Sequence, residues 1–188
     1  YFHYLNGASK ENQRKFDEAI KEYKQALEFD PDSSEILSKL AYLYVQTNRM
    51  PEAVEDAQKA IQKNPSNKEA YRMLGHIYLE KVYTKDPSKE DLEKAIEQFR
   101  EVYRLDPEDD TNLLTLGQLY AQSNQPEQAV EMLAKYIEIN PESPSAVMSL
   151  SNAFQQLNKP EEALKVLNKF LEVDPDNPYV LQVTADMY

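Results

Sequence analysis

Apolar residues recur along the chain at intervals of three and four, which is the pattern of amphipathic α-helices with one buried face. The pattern is itself repeated. Five segments end alike, in "LEFDP", "IQKNP", "YRLDP", "IEINP" and "LEVDP", and their prolines are separated by 34, 42, 34 and 34 residues. A period of this length predicts a helical repeat protein in which each unit is one structural module.

The prolines divide the chain into five repeats and a short remainder. We expect repeats at residues 1–31, 32–65, 66–107, 108–141 and 142–175, followed by an unpaired helix at 176–188. Pro51, Pro126 and Pro160 follow Asn-containing turns and mark the start of a second helix within a repeat. Each of these repeats is therefore predicted to be a helix, a tight turn and a second helix.

Capping residues indicate where several helices begin. Ser143 and Asn177 each precede a proline, so each is expected to cap a helix that starts at that proline. Capping boxes are expected at Asp32 with Glu35, at Ser66 with Glu69 and at Ser88 with Asp91.

Four repeats share a further pattern in the first helix, "LAYLY", "LGHIY", "LGQLY" and "LSNAF", and small-to-large triplets follow, such as Ala129, Leu133 and Tyr136. This combination resembles the tetratricopeptide-repeat (TPR) family over essentially the whole chain. The resemblance implies an all-α fold, a right-handed superhelical solenoid formed by one array of antiparallel helix pairs. It also implies that the first helices line a concave groove that binds peptides or protein partners.

Two repeats depart from the family pattern. The third repeat is eight residues longer than its neighbours, and we expect the extra residues to add about one turn to each of its helices and to form a projecting knob. In the first repeat, Asn6 and Lys10 stand where Leu and an aromatic residue are expected. We therefore expect its first helix to be loosely packed or to depend on upstream sequence.

The resemblance places one polar stripe of each first helix in the groove, and in the fourth and fifth repeats this stripe is uncharged. Neutral amides both donate and accept hydrogen bonds, which suits the backbone of an extended peptide. Arg72 offers a fork for a ligand carboxylate. Solvation of an ordinary helix face is the alternative explanation of the amides. The candidate partner-binding residues are Ser38, Tyr42, Gln46, Arg72, His76, Leu114, Thr115, Gln118, Gln122, Met148, Ser149, Asn152 and Gln156.

Composition argues against chemistry at this surface. The chain has no Cys, three Gly and two His that are far apart in sequence, so we expect no catalytic residues, no cofactor and no metal site. The basic carboxylate clamp of chaperone-binding family members is not matched here. The formal net charge of −12 disfavours nucleic acid, and no apolar run is long enough to span a membrane.

The expected function is a non-catalytic scaffold that binds an extended partner segment. The alternatives are self-assembly through an uncapped C-terminal helix with exposed Val180, Val183, Thr184 and Met187, or a role as accessory domain of a larger multidomain protein. The chain starts at Tyr1 without a signal peptide, so we expect a soluble fragment of a longer protein, from the cytoplasm or the periplasm.

Overall fold

The computed structural model describes residues 1–83 and 88–187, and this part of the chain is α-helical without a strand. The helices are α1 (Phe2–Asn12), α2 (Phe16–Phe29), α3 (Ser34–Gln46), α4 (Met50–Lys63), α5 (Lys68–Val82), α6 (Lys89–Leu105), α7 (Asp110–Gln122), α8 (Pro126–Ile139), α9 (Pro144–Gln156), α10 (Pro160–Leu171) and α11 (Pro178–Asp186).

The helices form two compact units. Unit one, Tyr1–Leu105, contains the pairs α1/α2, α3/α4 and α5/α6, and unit two, Asp106–Tyr188, contains α7/α8, α9/α10 and the single helix α11. In each pair the odd-numbered helix is called the first helix and the even-numbered one the second helix. The described helices thus confirm the predicted all-α class and the arrangement of five pairs plus one lone helix.

The two helices of a pair approach closely where the first helix has a very small residue. A Cβ atom built on Gly117 would lie 2.6 Å from Cγ of Leu133 on α8, and one built on Gly75 would lie 2.9 Å from the ring of Phe99 on α6. Leu133 and Phe99 are buried. The small residue on one helix therefore receives a large residue of its partner, and Leu133 is the middle residue of the triplet Ala129, Leu133 and Tyr136.

We predict that Gly117→Ala destabilises the protein by about 1–3 kcal/mol, because the new methyl group overlaps the base of the Leu133 side chain. Alanine gains about 1 kcal/mol of helix propensity over glycine, so a net loss identifies the overlap as the dominant effect. Urea denaturation measures the change.

The second repeat supplies the matched control, since Ala41 and Ala57 occupy the same two positions in α3 and α4 and are both buried. Adding Leu133→Ala to Gly117→Ala recreates that pair. The double variant should lose less stability than the sum of the two single variants by at least about 1 kcal/mol. Additive losses would show that the two side chains do not meet.

The turns between paired helices have the predicted chemistry. Asn48, Asn124 and Asn158 each adopt a left-handed backbone with φ of 57–58°, a conformation that Asn tolerates better than most residues. The following helices begin at Met50, Pro126 and Pro160, with a proline in the first two helical positions. These positions confirm the predicted helix, tight turn and second helix.

Two of the predicted capping boxes are wrong by one residue. The caps of α3 and α5 are Ser33 and Asn67, which accept hydrogen bonds from the amides of Ile36 and Ala70. Ile36 and Ala70 are buried, so these helices begin where the third residue after the cap reaches the core. The predicted caps Asp32 and Ser66 lie one residue too early to bring an apolar side chain to that position.

The other predicted caps are confirmed. Ser143 and Asn177 accept from the amides of Ala146 and Val180, and the Ser88 hydroxyl accepts from the amide of Asp91 at 3.2 Å.

Both helices of the third repeat are longer than their counterparts in the second repeat. Helix α5 has 15 residues against 13 in α3, and α6 has 17 against 14 in α4. The predicted full turn in each helix is therefore wrong, because the gains of two and three residues are shorter than one turn. The predicted knob falls partly on residues 84–87, which lie outside the described residues.

Helix α1 packs against α2 at Gly7, while its apolar residues Phe2 and Leu5 are 71% and 62% exposed. A Cβ on Gly7 would lie 2.9 Å from the ring of Tyr23, which is completely buried. The Tyr23 hydroxyl donates a hydrogen bond to Glu11 at 2.9 Å. Burial raises the pKa of Tyr23, and this hydrogen bond raises it further. Tyr23 therefore supplies the contact that the sequence of α1 lacks.

Helix α11 does not expose the predicted apolar face. Val180 is fully buried in a cluster with Val147, Leu167 and Phe170, and Thr184 is also buried. Val183 and Met187 are half-buried against the same cluster. The face that remains open instead contains Leu181, which is 44% exposed. The prediction failed because α11 turns its most apolar side chains toward the preceding pair.

Candidate partner-binding surface

The candidate residues occupy equivalent positions of α3, α5, α7 and α9. They lie 5, 6, 9 and 13 positions after the cap residue, which places them on one side of each helix, away from the two buried sides. Exposed members are Tyr42, Gln46, His76, Gln118, Gln122, Asn152 and Gln156, and half-buried members are Ser38, Arg72, Leu114, Thr115, Met148 and Ser149.

In unit two, this side of the first helices forms a surface that we call the neutral face, which is defined by eight residues. They are Leu114, Thr115, Gln118 and Gln122 on α7 and Met148, Ser149, Asn152 and Gln156 on α9. The two helices contact each other directly. The neutral face therefore brings together all candidate residues of the fourth and fifth repeats.

Side-chain amides connect the two helices of the neutral face. Gln118 Nε2 donates to the hydroxyl of Ser145 at 3.2 Å, and Gln156 Nε2 donates to the carbonyl of Ala121 at a long 3.5 Å. These bonds hold the amides across the α7/α9 seam. Ser145 is not among the candidate residues, and the sequence did not identify it as a partner of Gln118.

Other amides of the neutral face remain available to a partner. Within the described residues, Gln122 and Asn152 make no side-chain hydrogen bond, and both are exposed. Leu114 and Met148 lie half-buried beside them. The surface thus offers donors, acceptors and limited apolar area without a formal charge.

The neutral face contrasts with the charge of the unit that contains it. Residues 106–188 hold 4 Lys and Arg against 14 Asp and Glu, a formal net charge of −10. The acidic residues therefore lie elsewhere in unit two, on the second helices, in the loops and at the ends of the first helices.

In unit one the equivalent side is charged, and several of its groups bind one another. Arg72 Nη1 donates to Glu69 at 2.6 Å, and Lys39 pairs with Glu11 of α1 at 3.3 Å. The Arg72 side chain is 26% exposed. A ligand carboxylate at Arg72 would therefore compete with Glu69, which weakens the case for a dedicated carboxylate fork.

Two further contacts in unit one involve residues that the sequence did not single out. Tyr4 donates to Glu35, and this hydrogen bond raises the pKa of Tyr4 to about 12, with burial adding to the effect. Asn67 Nδ2 donates to the hydroxyl of Ser38 at 2.8 Å. The Ser38 hydroxyl in turn donates to the carbonyl of Ser34 at 3.0 Å, so Ser38 serves the contact between repeats.

His76 packs edge-to-face against Phe99, with ring centroids 5.2 Å apart. Although the residue is exposed on its outer side, burial lowers its pKa below the ordinary value of 6.5, and the nearby Arg72 cation lowers it further. His76 is therefore neutral at pH 7. Because the unfolded chain binds this proton more tightly, stability falls as the pH drops below 6.5.

We predict that the NMR titration midpoint of His76 lies below 6.5 and rises in Arg72→Gln, because removal of the cation leaves only the effect of burial. The measurement follows the imidazole Cε1 proton resonance. A midpoint at or above 6.5, or no response to Arg72→Gln, would contradict the assigned causes.

Within residues 1–83 and 88–187, no group of three or more His, Asp or Glu side chains is arranged to hold a metal ion. In the same part of the chain, no helix combines the length and apolar character needed to cross a membrane.

Comparison with known protein families identifies the class of protein. The Tetratricopeptide Repeats-Sensor model matches residues 15–117, which is more than half of the chain, and a Tetratricopeptide repeat model matches residues 124–187. The chain therefore belongs to the tetratricopeptide-repeat family. Members of this family are in general scaffolds for protein–protein interaction.

Solved structures share the fold over most of the chain. MamA is 26% identical with a TM-score of 0.74, and the match covers 91% of this chain and 89% of MamA. YrrB, described as a TPR protein with an unusual peptide-binding site, is 19% identical with a TM-score of 0.77, covering 97% and 90%. A thermophilic TPR protein of Thermus thermophilus is 21% identical with a TM-score of 0.60, covering 98% and 96%. No curated protein matches the chain.

Proposed function

We propose that the neutral face of unit two binds an extended segment of a protein partner, so that the chain acts as a non-catalytic scaffold. The single observation that supports this most is the absence of charge from eight neighbouring positions, four exposed and four half-buried, in a unit with a net charge of −10. A face that only needed solvation would be expected to share in that charge.

The chemistry of the neutral face suits a peptide backbone. An extended segment presents N–H and C=O groups along its length, and a group left unpaired on binding costs about 1–3 kcal/mol. Gln122 and Asn152 can each donate and accept. Gln118 uses one donor on Ser145 and keeps its carbonyl oxygen available. Leu114 and Met148 add apolar contact between these amides.

Tyr42, Gln46, Arg72 and His76 of unit one are proposed as a separate contact surface of the same kind. The exposed phenol of Tyr42 and amide of Gln46 support this role, and His76 presents a neutral imidazole at pH 7. Arg72 contributes only where a partner displaces Glu69. A place as accessory domain of a larger protein is compatible with this function.

Self-association through α11 is a second candidate, favoured by one observation. Leu181 is exposed, whereas Leu37, Leu113 and Val147, which lie equally far from the caps of their own helices, are buried. The sequence-based expectation of self-assembly instead named Val180, which is buried in the structure.

We predict that Gln118→Ala/Asn152→Ala weakens capture of the partner by about 5- to 30-fold, equivalent to 1–2 kcal/mol. Wild type and variant are immobilised, exposed to lysate of the source organism, and compared by quantitative mass spectrometry. Gln128→Ala/Asn168→Ala is the matched control, because it removes one Gln and one Asn from the exposed side of second helices in the same unit.

The neutral-face variant should lose a protein that wild type and control both retain, while all three keep the same thermal midpoint. Equal capture by all three variants would contradict the proposal. Capture of further copies of the chain alone would favour self-association through α11.

A further inference from the structure

An open cleft of about 340 Å³ lies between α9 and α11 and continues the neutral face within unit two. Its volume is near the low end of ligand pockets, which are roughly 300–1,000 Å³, so it suits one large side chain better than a whole small molecule. Its lining consists of Met148, Ser149, Ser151, Asn152, Gln155 and Val183.

The cleft exists because α11 is held firmly against the preceding pair. Asn177 caps α11, and Val180 is buried in the cluster with Leu167 and Phe170. This anchorage brings Val183, one turn further along α11, to the edge of the cleft. Gln155 Nε2 also donates to the sulfur of Met187 at 3.3 Å, which fixes the amide beside the opening.

The lining is uncharged and combines two apolar side chains with four polar ones. Met148 of α9 and Val183 of α11 are half-buried and supply the apolar area. Ser149 and Asn152 supply polar atoms that belong to the neutral face, and none of the lining side chains is ionisable. A charged side chain placed here would lose water without gaining an ionic partner, whereas an apolar one would gain buried area.

We propose that this cleft takes an uncharged, apolar side chain of the extended segment, and that it thereby selects partners by an aliphatic or methionine anchor rather than by charge. This inference rests on the proposed function of the neutral face. Met148, Ser149 and Asn152 belong both to the cleft and to the neutral face, so one bound segment contacts both surfaces. The anchor residue is then the feature that distinguishes partner segments from other extended chains.

The test uses a phage-displayed library of random dodecapeptides selected on the whole immobilised chain. Enriched peptides should share one aliphatic or methionine position with uncharged neighbours. A synthetic peptide of the most enriched sequence is then titrated by fluorescence polarisation. Val183→Asp should weaken its binding at least about tenfold, because the carboxylate replaces apolar area and enters a cleft that offers it no cation.

Gln182→Asp is the matched control, since it places the same charge on an exposed side of α11 outside the cleft lining, and it should change the affinity by less than about twofold. If Val183→Asp lowers the thermal midpoint, Gln155→Glu introduces the charge from α9 instead, outside the neutral face, and should weaken binding in the same way.

The outcomes separate this inference from the function on which it rests. The apolar anchor would be overturned if the enriched peptides lacked a common apolar position. It would also be overturned if the cleft and control variants had equal effects. In either case the neutral face would remain a binding surface. Failure to enrich any peptide, or binding that Gln118→Ala/Asn152→Ala does not weaken, would overturn both.

Discussion

The close approach of paired helices at one small residue determines how each first helix is oriented. At Gly117 there is no room for a side chain, because Leu133 of the second helix occupies the space. Gly75 and Phe99 repeat this contact in unit one. Each first helix packs against its partner on one side and against the neighbouring pair on another, and together these contacts fix its rotation about its own axis. A single side of the first helix is then left free. That side holds the candidate binding residues.

The same constraint explains why the binding face differs between the units without a change of fold. Positions on the free side are not needed for packing, so their chemistry can vary while Gly117 and Leu133 remain in contact. In unit one the free side carries Arg72 and Lys39, which bind Glu69 and Glu11. In unit two it carries amides, hydroxyls and two apolar side chains. We therefore expect partner binding on the free side, whereas the packed sides account for stability.

The sequence predicted the repeats and the turns because both depend on local chemistry. Proline at 126 and 160 and Asn at 124 and 158 each require a specific backbone, so their positions located the second helices correctly. The sequence predicted caps less well at Asp32 and Ser66. Several polar residues in succession can cap a helix, and the choice of Ser33 and Asn67 depends on which following residue reaches the core.

The packing of the two end helices depends on residues of other helices. Helix α1 was expected to be loose because Asn6 and Lys10 break the pattern, yet Tyr23 of the neighbouring helix fills the contact at Gly7. Helix α11 was expected to expose Val180, yet that residue packs on the preceding pair. Packing partners from other helices decide both cases. The α9/α11 cleft was missed for the same reason, since Val183 and Met148 are 35 residues apart in sequence.

Photo-crosslinking in cells of the source organism tests most directly whether the neutral face is the partner-binding surface. The photoreactive amino acid benzoylphenylalanine would replace Gln118 or Asn152 on first helices, and Gln128 or Asn168 on second helices, one position at a time. The account predicts that the same partner protein is crosslinked from positions 118 and 152 and not from 128 and 168. A partner crosslinked mainly from 128 and 168 would place binding on the second helices and contradict the account.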